Sequence, residues 1–132
     1  MVDASVWSIL ADPGERFHAD ARRLLLDSDL PLAALDLTLF EIANAVGVKM
    51  GRPERARWIS EIVVSRCAQR LRRVDPDLVA DALNAAVRHG LTAYDAAYVA
   101  AARRHGMTLV SADVRDLVSR GLAVTPDAAL YP

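Results

Sequence analysis

The chain of 132 residues predicts an α/β fold, with a central parallel sheet of four to five strands and helices on both of its faces. Two observations carry this. Short apolar runs alternate along the chain with segments whose apolar residues recur every three or four positions. Strands separated by helices in this way pair in parallel through right-handed crossovers, which lays the helices over both faces. The composition, 53% hydrophobic and 25% charged, is that of a globular protein. No repeat, low-complexity stretch or linker interrupts the alternation, so one domain over residues 1–132 is expected.

In order, Val2–Val6 reads as a short first strand leading into a helix. Glu15–Leu26 reads as a helix with Phe17, Ala21, Leu24 and Leu25 on one side. Leu32–Leu37 is a compact apolar run suited to a buried strand, and Thr38–Val48 is a helix ended by Gly51 and Pro53. Glu54–Arg70 is a long amphipathic helix carrying Ile59, Ile62, Val63 and Cys67 on one side. Leu71–Val74 is a strand closed by Asp75-Pro76. Leu78–Val87 marks a helix with Gly90 placed as its C-terminal cap. Ala93–His105 is an alanine-rich helix stopped by Gly106, Met107–Ser111 a strand, Val114–Arg120 a short helix and Ala123–Thr125 a last short strand.

No apolar run approaches the roughly 20 residues that cross a bilayer, and the N-terminal MVDASVW lacks the basic and apolar regions of a signal peptide. The single cysteine, Cys67, forms no internal disulfide and reads as a buried thiol. A cytoplasmic location follows as the expectation. The net charge is −1, and every basic residue but Lys49 is arginine. Arg52, Arg55 and Arg57, then Arg70, Arg72 and Arg73, then Arg103 and Arg104 form clusters suited to bidentate phosphate contact, or equally to a solvated surface.

In a parallel α/β sheet, ligands bind outside the carboxyl ends of the strands. Asp3 stands at the first strand, Glu41 one turn into the helix after the second, and Asp113 directly after the fourth. Asp95 opens the alanine-rich helix. Each has an ordinary alternative as a helix cap: Thr38-x-x-Glu41 and Thr92-x-x-Asp95 are capping-box patterns, and Asp3 and Asp113 precede helices. Caps have no reason to converge, however. Two carboxylates about 4 Å apart repel by on the order of 4 kcal/mol at an effective dielectric of 20, and a cation relieves that. Mg²⁺ prefers carboxylate oxygen and retained water, and such a site suits phosphodiester hydrolysis by a metal-activated water. Ser5 and Ser111, two residues from Asp3 and Asp113, are placed to orient a carboxylate or a water. Asn44 lies one turn beyond Glu41. No histidine stands in a motif that would activate a serine.

The segments VDASVW, LDLTLFEIANAV, LTAYDAAYVAAARRHGMTLVSAD and GLAVTP together resemble the PIN-domain family, and more narrowly its VapC-type toxin ribonucleases of toxin–antitoxin pairs. The resemblance implies a three-layer α/β/α PIN-like fold. It also implies a Mg²⁺-dependent endoribonuclease (Mn²⁺ substituting), an RNA substrate, a homodimer and a small antitoxin partner. Carried over by position, the acids are Asp3, Glu41, Asp95 and Asp113, supported by Ser5 and Ser111, with Asp116 either a further acid or, as its helical setting favours, part of a solvated face. Members of the family carry several apolar residues before the first aspartate, whereas only Met1 and Val2 precede Asp3, so either the first strand is unusually short or the start has been trimmed. Two alternatives stay open within the family: RNA processing outside a toxin pair, and a PIN-like module that binds without cutting. A phosphoacceptor domain would need a lysine at the acidic pocket, and Lys49 lies at a helix end. The apolar sides of Glu54–Arg70 and Ala93–His105 are the expected dimer contact.

Overall fold

A computed structural model describes residues 1–132. Backbone hydrogen bonds join five extended segments edge to edge. β1 (Ala34–Leu35) and β2 (Leu71–Arg72) pair in parallel, Ala34 opposite Leu71 and Leu35 opposite Arg72. On the other side of β1 the Val2 amide donates to the Ala33 carbonyl at 2.8 Å. Val2 bridges Val110 in parallel, and Val110 bridges Val124 likewise. Across the sheet the order is therefore Leu71, Ala34, Val2, Val110, Val124. The first segment of the chain lies in the middle, and the connections leave it first to one side and then to the other.

Side-chain alternation along these segments divides the core. Val2, Ala34 and Val110 face one cluster with Trp7, Leu24, Leu25, Ile42, Ile59 and Val63. Met1, Ala33, Leu35 and Leu109 face the other, with Leu78, Ala82, Ala85 and the run Ala96–Ala102. Successive strand residues point to opposite faces, so this split is direct proof of helices on both sides of the sheet. The first layer holds α1 (Ala4–Ser8), α2 (His18–Arg22), α3 (Leu37–Ile42) and α4 (Pro53–Cys67). The second holds α5 (Pro76–His89) and α6 (Ala93–Arg104). No helix is long and apolar enough to cross a membrane.

The strands are shorter than the apolar runs that announce them, because helix caps intrude. Asp3 caps α1, its carboxylate accepting from the Ser5 amide at 3.0 Å and the Val6 amide at 3.3 Å. The expected strand Val2–Val6 is thereby cut to its first residues. Asp36 does the same to Leu32–Leu37, accepting from the Leu37 amide at 2.9 Å to begin α3. Helical periodicity is kept more fully, with π-helical continuations at Arg23–Asp27 after α2 and Ala43–Lys49 after α3, and a π-helical Val114–Val118. A final helix, α7 (Pro126–Leu130), was not expected from the sequence, although Pro126 stands at its first turn, where a missing amide hydrogen is harmless.

The expected dimer faces are corrected. Ala56, Ile59, Val63 and Cys67 of α4 and residues 96–102 of α6 are buried in the chain's own two cores. Trp58 and Val64 on α4 stay exposed, but the more exposed apolar side chains include Phe40 on α3, Val79, Leu83 and Val87 on α5, and Tyr94 at the start of α6.

Candidate active site at the strand switch

The crevice between Val2 and Val110, where the strand order reverses, is where a sheet of this kind opens for a ligand. Asp3 follows Val2 there, and Ser111 and Asp113 follow Val110. Asp3 is 4% exposed and shares its burial class with only two other polar residues, Thr38 and Ser111. Burial is the chief reason that its carboxyl is raised, to about 6. Hydrogen bonds from Ser111 and Ser5 and from the Val6 and Ser5 amides oppose the shift. The Ser5 hydroxyl donates to Asp3 Oδ1 at 2.5 Å, accepts from the Ala112 amide at 2.9 Å and lies 3.4 Å from Ser111 Oγ. Ser111 Oγ in turn accepts from the Asp113 amide at 3.0 Å. The two serines thus tie the ends of two adjacent strands together and link Asp3 to Asp113.

Glu41 and Asp95 approach from the helices. Glu41 on α3 is half-buried, and its carboxyl is raised by desolvation and by the charge of Asp95. The Tyr98 hydroxyl donates to Glu41 Oε2. Tyr98 is pushed far above its ordinary range by burial and by the charges of Glu41 and Asp3. Asp95 is held at the N-terminus of α6 by Thr92, whose Oγ1 accepts from the Asp95 amide at 3.2 Å and donates to Asp95 Oδ2 at 2.8 Å. Asp113 caps the helical turn after it, accepting from the Asp116 amide at 2.9 Å.

Two of the four acids, Asp3 and Asp113, are therefore caps as well as neighbours of the crevice, whereas Asp95 is itself held by the cap Thr92 and Glu41 takes no part in a cap. Thr38-x-x-Glu41 is no capping box, because Asp36 starts α3 and Thr38 Oγ1 turns inward to Tyr98 at 2.8 Å. The supporting residues divide. Ser5 and Ser111 lie within the network. Asn44 is exposed in the π-helical stretch and joins no hydrogen bond of the site. Asp116 is paired with Arg115 at 2.9 Å and Arg120 at 3.4 Å, which marks it as a surface ion-pair residue. Tyr98 was not singled out in the sequence, where it stands within the alanine-rich helix Ala93–His105. Its signal was present: a hydroxyl-bearing side chain three residues after Asp95, within the alanine-rich run of the helix.

None of Asp3, Glu41, Asp95 and Asp113 forms an ion pair with an arginine; the arginines pair with Asp27, Glu54, Asp75, Asp81 and Asp116. No three acidic, histidine or cysteine side chains are drawn into one metal-ligating group. The donor chemistry nonetheless fits a hard divalent cation. It consists of carboxylate oxygens alone, one of them deeply desolvated without a positive partner and another raised by desolvation and then by its acidic neighbour. Beside Ser5 and Asp113 a groove of about 450 Å³ runs between Ser8, Asp12, Glu15, Arg16, Phe17 and Met50. The Arg16 guanidinium lies 4.9 Å from the centre of the Phe17 ring.

The PIN domain family model matches residues 1–119, and the chain belongs to that family. Within it, the chain is 33% identical over 132 residues to Ribonuclease VapC3 of Pyrobaculum aerophilum, a match covering 96% of this chain and 98% of that protein. Among solved structures the fold is shared with VapC20 of Mycobacterium tuberculosis, a sarcin–ricin loop cleaving toxin, at a TM-score of 0.71 and 23% identity over 91% of this chain and 93% of that one. It is shared also with a toxin–antitoxin complex from Klebsiella pneumoniae, at a TM-score of 0.68 and 19% identity over 95% of both chains.

Proposed function

We propose that the protein is a Mg²⁺-dependent endoribonuclease of the cytoplasm, the toxin of a toxin–antitoxin pair, with Mn²⁺ able to replace Mg²⁺. The observation that carries the reading is Asp3: a carboxylate buried at the strand switch with no cationic side chain against it. A buried, unpaired carboxylate is unfavourable unless something positive joins it, and the carboxylates around it are left without arginine partners. The ribonuclease relative supports RNA as the substrate, and the fold shared with a toxin–antitoxin complex supports a small antitoxin as partner.

Asp3, Glu41, Asp95 and Asp113 would hold the metal, which when bound would supply an acidified water and charge stabilisation for phosphodiester hydrolysis. The chain's own residues do the positioning. Ser5 fixes Asp3 Oδ1, Ser111 fixes the backbone at Asp113, and Thr92 fixes Asp95 Oδ2. Arg16, along the groove next to Ser5 and Asp113, offers a planar cation to a phosphate, and Phe17 beneath it supports the guanidinium.

The test is cleavage of single-stranded RNA by purified protein in Mg²⁺, in Mn²⁺ and in chelator, with Asp95→Ala and Asp113→Ala alongside. Cleavage is expected only with metal and only by the unaltered protein. Undiminished cutting by Asp95→Ala, or cutting in chelator, overturns the reading.

A further inference from the structure

Glu41 is held from behind by a line of two buried hydroxyls. Tyr98, 2% exposed on α6, donates to Glu41 Oε2, and Thr38, fully buried on α3, lies 2.8 Å from the same phenolic oxygen. Counting protons gives the line a direction. A phenol has one hydrogen and a carboxylate only accepts, so Tyr98 uses its hydrogen on Glu41 and Thr38 must donate to Tyr98. Thr38 is free to do so because Asp36, and not Thr38, caps α3. The line starts and ends on α3, three residues apart, with a residue of α6 wedged between. Tyr98 stands one turn from Asp95 on that helix, so the place of Glu41 is tied to the element that carries the neighbouring acid. Oε2 is engaged, whereas Oε1 of Glu41 makes no hydrogen bond within the protein. Packing alone would be served as well by phenylalanine at position 98 and valine at 38. Their hydroxyls have no other partner than this line.

We propose that Thr38 and Tyr98 are positioning residues, a hydroxyl strut that engages Glu41 Oε2 and so holds the Glu41 carboxylate in place for the divalent cation of the active site. The inference rests on the nuclease reading above and adds residues to it that touch neither metal nor RNA. Partners behind a metal-ligating carboxylate are worth about 10–100-fold in metal affinity or activity when removed.

The experiment measures Mn²⁺ affinity by electron paramagnetic resonance of free Mn²⁺, together with kcat and KM on single-stranded RNA. The variants are Tyr98→Phe, Thr38→Val, Thr38→Ser and Glu41→Ala, and Tyr98→Phe combined with Glu41→Ala. Tyr98→Phe is expected to weaken Mn²⁺ binding by about tenfold and to lower kcat with KM for RNA unchanged. Thr38→Val should move both in the same direction by less, and Thr38→Ser, which keeps the donor, should restore them. With Glu41 already alanine, Tyr98→Phe should remove no further Mn²⁺ affinity, whereas a merely structural tyrosine would lower it in both backgrounds. Unchanged Mn²⁺ affinity and kcat in Tyr98→Phe, or independent losses in the double variant, overturn the strut and leave the nuclease reading standing. Unchanged Mn²⁺ affinity and cleavage in Glu41→Ala overturn Glu41's place in the site and the strut with it. Should Tyr98→Phe fail to fold by circular dichroism, the Thr38 pair decides: equal behaviour of valine and serine there overturns the proposal.

Discussion

Asp3 stores an opposition between stability and site chemistry in one side chain. Its folded carboxyl is raised from 3.8 to about 6, so between those values the folded chain binds more protons than the unfolded one. Unfolding free energy therefore falls as pH rises through that window and levels off above it. The contribution is present in full below about pH 4 and lost above about pH 6. Roughly two pKa units correspond to on the order of 3 kcal/mol. Asp3→Asn keeps the Oδ1 acceptor, which takes the Ser5 hydroxyl and both amides, and removes the charge. In chelator it is expected to match the unaltered protein near pH 4, to exceed it by up to about 3 kcal/mol near pH 7.5, and to cleave no RNA. Denaturant melts at both pH values check this, and stability curves that run parallel would refute it. The places of Asp3 and Asp113 beside strand ends were legible in the sequence because they follow from chain order, whereas that of Asp95 depends on where α6 is aimed. Tyr98 was not legible, since a buried aromatic on a helix has the same period as the core, and only the fold reveals what its hydroxyl meets.

At the scale of elements, α6 joins the second core to the site, and its alanines set how near it comes. Residues 96–102 are all buried, and the helix packs on α5, whose Leu78, Ala82 and Ala85 lie in the same cluster. Small side chains allow the close approach that places Asp95 and Tyr98 beside Glu41. Ala101 is 1% exposed, so leucine there must push neighbours aside. Overpacking of this kind costs about 1–3 kcal/mol. Ala101→Leu is expected to lower the melting temperature by several degrees for a domain of this size, and to reduce kcat as α6 shifts. An unchanged melt would mean that the helix has slack. The cap of α6 is separable from its packing. Thr92→Ala loses a hydrogen bond to the Asp95 amide, worth about 1 kcal/mol, and frees Asp95 Oδ2 as well, so activity should fall further than stability does. Helix starts were readable from such caps: Asp75-Pro76 opens α5, with Asp75 accepting from the Leu78 amide at 2.7 Å, and Gly90 closes it at φ 62°. Strand lengths were not readable. An apolar run records burial, whereas a ladder ends where an aspartate turns the chain into a helix, as Asp36 does inside Leu32–Leu37.

For the whole molecule, what the chain leaves uncovered bears on its association. Phe40 is 81% exposed, and with Val79, Leu83 and Tyr94 it lines a groove of about 510 Å³ between α3, α5 and the start of α6. Eleven of the twelve lining residues are hydrophobic. An exposed patch of this kind on a globular protein marks an interaction surface. A homodimer is expected to use this face rather than α4 and α6, most of whose apolar side chains line the protomer's own cores. A standard interface buries roughly 800 Å² per partner, about a tenth of the 7252 Å² that the chain exposes. The groove and its aromatic rim are the one apolar region with Phe40 and Tyr94 to anchor it, and aromatic anchors dominate such interfaces. Light scattering at micromolar protein is expected to give twice the mass of the chain. Phe40→Glu combined with Leu83→Glu should give the single-chain mass with helical content intact, because both side chains are exposed and a charge there harms only the docked state. Phe40 is the residue before Glu41, so the interface and the acid share a helix turn, and dilution to monomer should lower cleavage per chain. A monomer mass for the unaltered protein at every concentration would sink the dimer. The exposed groove would then belong to the antitoxin, whose addition should shield Phe40 and Tyr94 from solvent.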